Sequence, residues 1–201
     1  MDTKQAEQEL SLIKQMMLDS RRVVVDSGKH YILWGILITS ALLVNYYMLL
    51  IGQSGKYIGL MWLITIVSGF IAGSFIEKSN IRKRRVHTFA GKILSALWIA
   101  SGIAMSMIGF IGPLTKAYNP IFICPIISVI LGVSYFASGA IQQVKWLQWL
   151  TLGWWAGAII TFVFPSVHTL LIFALMLIFF QTIPGIILYR KWKSANLEIT
   201  L

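Results

Sequence analysis

Three histidines and one cysteine are the side chains of this sequence best suited to metal binding or nucleophilic chemistry. His30, His87 and His168 are far apart, and no two of them have the i, i+4 spacing that places two metal ligands on one helix face. Cys124 is the only cysteine, and its apolar surroundings are typical of a small buried side chain. The sequence therefore predicts no catalytic residue, no metal site and no cofactor.

Polar side chains inside long apolar stretches are the second kind of candidate site. Asn45 lies deep in the first of these stretches, and Gln181 and Thr182 lie in the last. An amide in hydrocarbon needs a hydrogen-bond partner, so we predict that these side chains face the interior of a helix bundle and bond to a neighbouring helix. Contact with a substrate is the alternative that their position leaves open.

The elements that must position these residues are apolar helices. Of the 201 residues, 57% are hydrophobic and 12% are charged, and the mean hydropathy is +0.76. A soluble domain normally has about 25% charged residues, and a bilayer-spanning helix needs about 20 apolar residues. We predict an all-α integral membrane protein with one bundle of six transmembrane helices, at about residues 31–51, 57–76, 93–112, 121–141, 146–164 and 167–189.

The distribution of the basic residues predicts the orientation of this bundle. Fifteen of the 17 Lys and Arg fall before the first span, in the second and fourth connections, or in the tail, residues 190–201. Only Lys56 and Lys116 fall on the opposite side. Basic residues of short loops stay in the cytoplasm, so we predict that both termini are cytoplasmic. The net charge of +10 is then a topological signal, and we expect no nucleic-acid partner.

The second connection contains the densest group of charges in the chain, Arg82, Lys83, Arg84 and Arg85. These four residues suffice to hold the connection in the cytoplasm. We also predict that they contact anionic lipid headgroups, because basic side chains near a bilayer surface are attracted to that charge.

Residues 1–30 precede the first span, and residues 4–26 within them have the pattern of an amphipathic helix. Apolar side chains recur there at helical spacing, and charged side chains lie on the other faces. The apolar positions are Ala6, Leu10, Ile13, Met17 and Val24. Three roles are open for this helix: it could lie in the headgroup plane, pack on the cytoplasmic loops, or bind a cytoplasmic protein partner.

Small residues predict close contacts between helices. The sequence has GxxxG motifs at residues 69–73 and 153–157, and looser small-xxx-small motifs at 102–106 and 128–132. Such motifs let two helix backbones approach where lipid provides no hydrophobic drive for association. They would serve packing within the bundle or, as the alternative, a homo-oligomer.

Two prolines predict kinks inside the spans. Pro125 falls in the fourth span and Pro184 in the sixth, where each removes one backbone hydrogen bond. Two kinked helices can enclose a cavity, although prolines are also ordinary in transmembrane helices.

The N-terminal quarter of the chain resembles a known group of proteins. The similar residues are Leu12-Ile-Lys-Gln-Met-Met-Leu-Asp-Ser-Arg-Arg22, Ser27-Gly28 and Tyr31-Ile-Leu-Trp-Gly35. They resemble a family of uncharacterised small polytopic membrane proteins of bacteria. The resemblance implies a bacterial inner membrane, and it brings no established activity and no functional residues.

We therefore expect a non-enzymatic membrane protein, a sensor or an accessory subunit, whose cytoplasmic helix and basic connection meet a partner. The alternative is a channel or carrier for a neutral or lipidic substrate, suggested by the prolines and by the polar residues of the spans. The spans contain no Asp or Glu, the groups that ion-driven carriers commonly use for the coupling ion.

Overall fold

A computed structural model describes the backbone of residues 28–83 and 89–198 and the side chains of residues 28–78 and 90–194. Within these residues the fold consists of helices and their connections, without a strand. Six helices are long and apolar enough to cross a membrane, so the prediction of six such helices in an all-α chain is confirmed. Three of them consist of more than one segment. The main or first α-helical segment of each is α1 Lys29–Leu50, α2 Gly55–Lys83, α3 Phe89–Ser106, α4 Ile123–Ile141, α5 Lys145–Val163 and α6 Thr169–Leu177.

Three of these helices have additional turns of other types. Helix α3 continues through a π segment, Met107–Ile111, into one α turn, Gly112–Thr115. A 3-10 turn, Pro120–Phe122, leads into α4. Helix α6 continues through a second π segment, Ile178–Thr182, and then as an α-helix, Ile183–Glu198. Below, α3 and α6 denote these helices together with their extensions.

The helices extend further than the apolar stretches predicted. Helix α2 runs to Lys83, so the first two residues of the basic run are helical. The last helix continues to Glu198, so the described part of the predicted tail, residues 190–198, is helical. The reason is that hydropathy reports only the apolar part of a helix, whereas its backbone hydrogen bonds continue into polar sequence.

A single residue separates each π segment from a proline. The N–H of Gly112, which precedes Pro113, donates to the carbonyl of Met107 five residues back. The N–H of Ile183, which precedes Pro184, donates in the same way to Ile178. A proline ring in an α-helix clashes with the carbonyl four residues before it, and a π turn widens the helix at that point. Pro184, where the sequence predicted a kink, is thus preceded by a π turn.

Pro125, for which the sequence predicted a kink in the fourth span, is near the beginning of its helix. It lies in the first turn of α4, directly after the 3-10 turn. The first N–H groups of a helix have no intrahelical partner, so a proline there removes little.

Tyr118 completes the first π segment. In a π register the carbonyl of Ile108 would accept from residue 113, but that residue is proline and has no N–H. The hydroxyl of Tyr118 donates to this carbonyl instead. Its ring lies so close to Gly112 that a Cβ there would overlap it. Desolvation by burial raises the pKa of Tyr118 above its ordinary value of 10.0.

Helix α1 lies antiparallel along the whole of α6. At one end the Tyr46 hydroxyl is 3.1 Å from Nδ1 of His168, just before α6 begins. Further along, a Cβ on Gly35 would come 2.2 Å from Oγ1 of Thr182. Near the other end, Gly185 lies directly against Tyr31. Glycine is needed at Gly35 and Gly185 because any side chain there would separate the helices.

Most of the small-residue motifs lie at contacts within the bundle. A Cβ on Gly69 would meet Trp34, one on Gly132 would meet Trp155, and one on Gly157 would meet Met176. Gly102 differs, because no described atom lies within 4 Å of the place where its Cβ would be. Packing inside the chain therefore accounts for three of the four motifs, whereas in the motif at 102–106 a Cβ on Gly102 would face open space.

The pair Gly35 and Gly102 gives a test of the α1–α6 contact. Gly35→Leu should lower the free energy of unfolding by about 1–3 kcal/mol, because the added side chain overlaps Thr182. Gly102→Leu, also in a helix, should not lower it, because no described atom lies within 4 Å of the added Cβ and leucine favours a helix more than glycine does. Thermal unfolding in mild detergent measures both variants, and equal melting temperatures would contradict the close contact.

Tyr118 provides a second test. Tyr118→Phe leaves the Ile108 carbonyl without its donor and should cost about 1–2 kcal/mol of stability. Because the raised pKa means that the fold favours the neutral hydroxyl, this contribution should be complete below about pH 10 and be lost as the pH rises above it. The control is Tyr57→Phe at an exposed tyrosine. Unfolding of the two variants between about pH 7 and 11 gives the comparison, and an equal loss in both would refute the role of Tyr118.

Candidate functional site

Four aromatic side chains, which we call the aromatic cluster, form the centre of the bundle: Tyr31, Trp98, Tyr135 and Trp154. The rings of Tyr31, Trp98 and Tyr135 meet edge to face, with centroids 5.3, 5.6 and 5.7 Å apart. Trp154 lies 5.8 Å from Tyr135. The cluster brings together α1, α3, α4 and α5, and Tyr135 and Trp154 are completely buried. Large rings therefore fill this part of the interior.

Hydroxyl and indole groups join the helices around this cluster. The hydroxyls of Ser101 and Ser134 are 2.8 Å apart and link α3 to α4. Thr151 of α5 donates to the carbonyl of Gly132 in α4 at 3.2 Å, and Trp155 donates to a second α4 carbonyl. The sequence does not indicate these bonds, because Ser and Thr are common in the spans and their spacing does not reveal their partners.

Several polar atoms near the cluster are buried without a hydrogen-bond partner among the described residues. They are the indole nitrogens of Trp98 and Trp154, the hydroxyl of Ser138, and both amide atoms of Gln142. Ser138 and Gln142 are one helical turn apart at the end of α4. These atoms offer both donors and acceptors, and ordered water is the usual partner of such buried groups. They include no carboxylate and no imidazole that could exchange protons with a substrate.

The two amides predicted to carry interior contacts lie at different depths. Asn45 is next to Tyr46, which reaches His168 at one end of α6. Gln181 is next to Thr182, which lies against Gly35. Residues 35 and 45 are ten positions apart, or about 15 Å along α1. The amides therefore do not share one cavity with each other.

The hydrogen bonds of these polar side chains are local or absent among the described residues. Both amides are buried, but within the described part of the chain Oδ1 of Asn45 and Oε1 of Gln181 have no hydrogen-bond partner. Thr182 donates to the carbonyl of Leu177 in its own helix at 3.2 Å. Among the described residues, these two oxygens and the Thr182 hydroxyl therefore make no bond to another helix, and the predicted interhelical bonds stay a prediction.

The histidines and the cysteine are placed separately. His30 lies 3.5 Å from the carboxylate of Glu77, at the opposite end of the bundle from His168. His87 lies outside the described residues. Cys124 is buried at the start of α4. Among the residues that the structure describes, no three His, Cys, Asp or Glu side chains come together in a way that could hold a metal ion.

An open groove of about 550 Å³ runs along the surface of α1, and we call it the α1 groove. Ile76 of α2 and Tyr189 of α6 line it together with the α1 side chains. Lys29 and Ser40 mark its two ends, and the side chains between them are apolar. The lining residues are Lys29, Ile32, Leu33, Ile36, Leu37, Ser40, Ile76 and Tyr189.

Basic and aromatic side chains meet at the Lys29 end of this groove. The Lys29 amine lies 5.5 Å from the ring centroid of Trp192, whose ring stacks on Tyr189. At the same end of the bundle, the Lys191 amine lies 5.7 Å from the ring of Trp146. Such contacts are attractive cation–π pairs. The side chains of the predicted headgroup-binding run, Arg82 to Arg85, and the predicted amphipathic helix, 4–26, lie outside the described residues.

Comparisons with known proteins give no family for this chain. No protein-family model matches it, and searches of curated proteins and of solved structures found no significant match. The function must therefore be argued from the packing, the exposed surface and the distribution of charge.

Proposed function

We propose that this chain is a non-enzymatic, multi-pass protein of the bacterial inner membrane that acts as a sensor or accessory subunit. The observation that supports the membrane location in this proposal is the distribution of apolar surface. Large apolar side chains such as Ile64, Phe75, Ile103 and Leu114 are more than half exposed along helices α2 and α3. A surface of this kind is unfavourable in water and is what a lipid-facing helix presents.

The charge distribution supports cytoplasmic termini. Lys29 begins α1, Lys145 begins α5, and Lys191 lies near the end of α6 against Trp146. Lys56, near the start of α2, and Lys116, just after α3, lie at the other end of the bundle. The basic end would face the cytoplasm, and the aromatic rings beside it would lie at the headgroup level, where amphipathic rings are favoured.

This orientation is tested by cysteine labelling in intact cells. Starting from Cys124→Ala, the variants Lys56→Cys and Lys116→Cys should react with a maleimide that cannot cross the membrane. Lys145→Cys and Lys193→Cys should react only after the cells are permeabilised. Labelling of Lys145→Cys in intact cells, at the level of Lys56→Cys, would reject the proposed orientation.

The chemistry of the interior supports a non-enzymatic role. Apart from the indole groups and the Cys124 thiol, every buried polar side chain among the described residues is a hydroxyl or an amide. Proton transfer at neutral pH normally needs a His, a carboxylate or a shifted Lys, and the described His side chains lie at the two ends of the bundle. The alternative function, a channel or carrier, would need a path through the bundle. The aromatic cluster fills the space that a wide path through the centre would occupy.

The proposed partner contact lies on the N-terminal segment and on the basic connection between the second and third predicted spans. A helix with one apolar and one charged face, placed before the first span, has the composition of a partner-binding segment as well as of a membrane-surface helix. The basic run 82–85 would add contact with anionic headgroups. The accessory role depends on a protein occupying the apolar face of residues 4–26.

Photo-crosslinking in living cells shows whether a protein or lipid contacts the apolar face of residues 4–26. A photoreactive phenylalanine analogue at position 10, on the predicted apolar face, should give a discrete crosslinked protein that recurs across preparations. The same analogue at position 7, on the charged face, is the matched control and should give much less. Crosslinks from position 10 to lipid alone would mean a membrane-surface helix and would refute the accessory role.

A further inference from the structure

We infer that the α1 groove binds one anionic glycerophospholipid of the cytoplasmic leaflet, with an acyl chain along α1 and its phosphate at the Lys29 amine. The inference rests on the proposed membrane location and orientation. It goes further by naming a site, a ligand class and the residues that recognise it, separately from the basic run 82–85.

The groove forms because α2 and α6 contact α1 on two different sides. Leu33 lies toward Gly73 of α2, and Ile32 lies against Gly185 of α6. Ile36 lies between these two contacts and remains 55% exposed at the floor of the groove. The two flanking helices thus leave one strip of α1 open to lipid instead of covering it.

The length of the groove matches half a bilayer. Its α1 side chains recur at helical spacing from Lys29 to Ser40, eleven residues apart, which is about 16 Å along the helix. The hydrocarbon of one leaflet is about 15 Å thick. An acyl chain lying in the groove would therefore end near the membrane centre when its headgroup is level with Lys29.

The charge at the Lys29 end complements a phosphate. Glu77, a carboxylate at this end, lies 3.5 Å from the imidazole of His30. Among the described residues no carboxylate lies within ion-pair distance of the Lys29 amine, whose contact is the Trp192 ring. A cation over an aromatic ring keeps its outer face available for an anion. Lys78 and Arg190, on the adjoining helices, are also exposed and add positive charge near this level.

Native mass spectrometry of the full-length protein in mild detergent tests the site. The protein is titrated with phosphatidylglycerol and phosphatidylcholine of equal chain length. We expect one tightly retained lipid, with phosphatidylglycerol preferred. Lys29→Gln should reduce that preference about fivefold, since one basic residue near the surface contributes about that factor. Ile36→Trp should reduce occupancy about tenfold by filling the groove, and its exposed position lets the chain fold unchanged.

Two matched variants control for general effects of charge and bulk. Lys145→Gln removes a lysine at the same end of the bundle, at the start of α5. Ile64→Trp adds an indole at a similarly exposed position of α2 that does not line the groove. Both should bind lipid as the unchanged chain does. Equal lipid occupancy and preference in all four variants would overturn the inference.

The cysteine labelling described above separates this inference from the proposed orientation. If labelling follows the proposed orientation but lipid binding is unchanged in the Lys29 and Ile36 variants, only the lipid site in the α1 groove is rejected. Inverted labelling together with groove-dependent lipid binding rejects the cytoplasmic leaflet and the orientation, while the groove remains the lipid site.

Discussion

The close contact between α1 and α6 is the constraint on which the rest of the bundle depends. Gly35 and Gly185 let the first and last helices approach until Thr182 and Tyr31 fill the space between them. Where lipid removes the hydrophobic drive for association, such contacts gain their stability from dispersion between closely packed atoms. This contact also fixes Tyr31 inside the bundle, where it meets Trp98 and Tyr135.

The other helices pack outward from this pair and from the α4–α5 hairpin. Helix α2 packs on α1, and α3 packs on α4. Both therefore keep a broad apolar face exposed, which is the main support for placing the chain in a bilayer. The α1 groove is a direct result of the same arrangement, because α2 and α6 approach α1 from two sides and leave the strip around Ile36 uncovered.

The two π segments show how the chain accommodates prolines within long helices. At Pro113 and at Pro184 the widened turn comes just before the ring. At the first site Tyr118 supplies the hydrogen bond that the proline cannot. The hydroxyl of Thr182 lies within the second site, so the residue that fits against Gly35 is presented by a turn of altered geometry. Local backbone chemistry and helix packing are thus coupled at this point.

The sequence by itself determined the class of the fold and the number and approximate position of its six apolar helices, because hydropathy and length are local properties of each segment. The GxxxG motifs correctly pointed to close contacts, since a missing side chain lets any neighbouring helix approach. The sequence did not determine which helix each motif contacts, because the arrangement of the helices is a property of the whole bundle. Only the tertiary structure decided that Gly35 faces Thr182 and that Ser101 meets Ser134. For the same reason, only the tertiary structure placed the two buried amides at separate depths, where they cannot form one polar site.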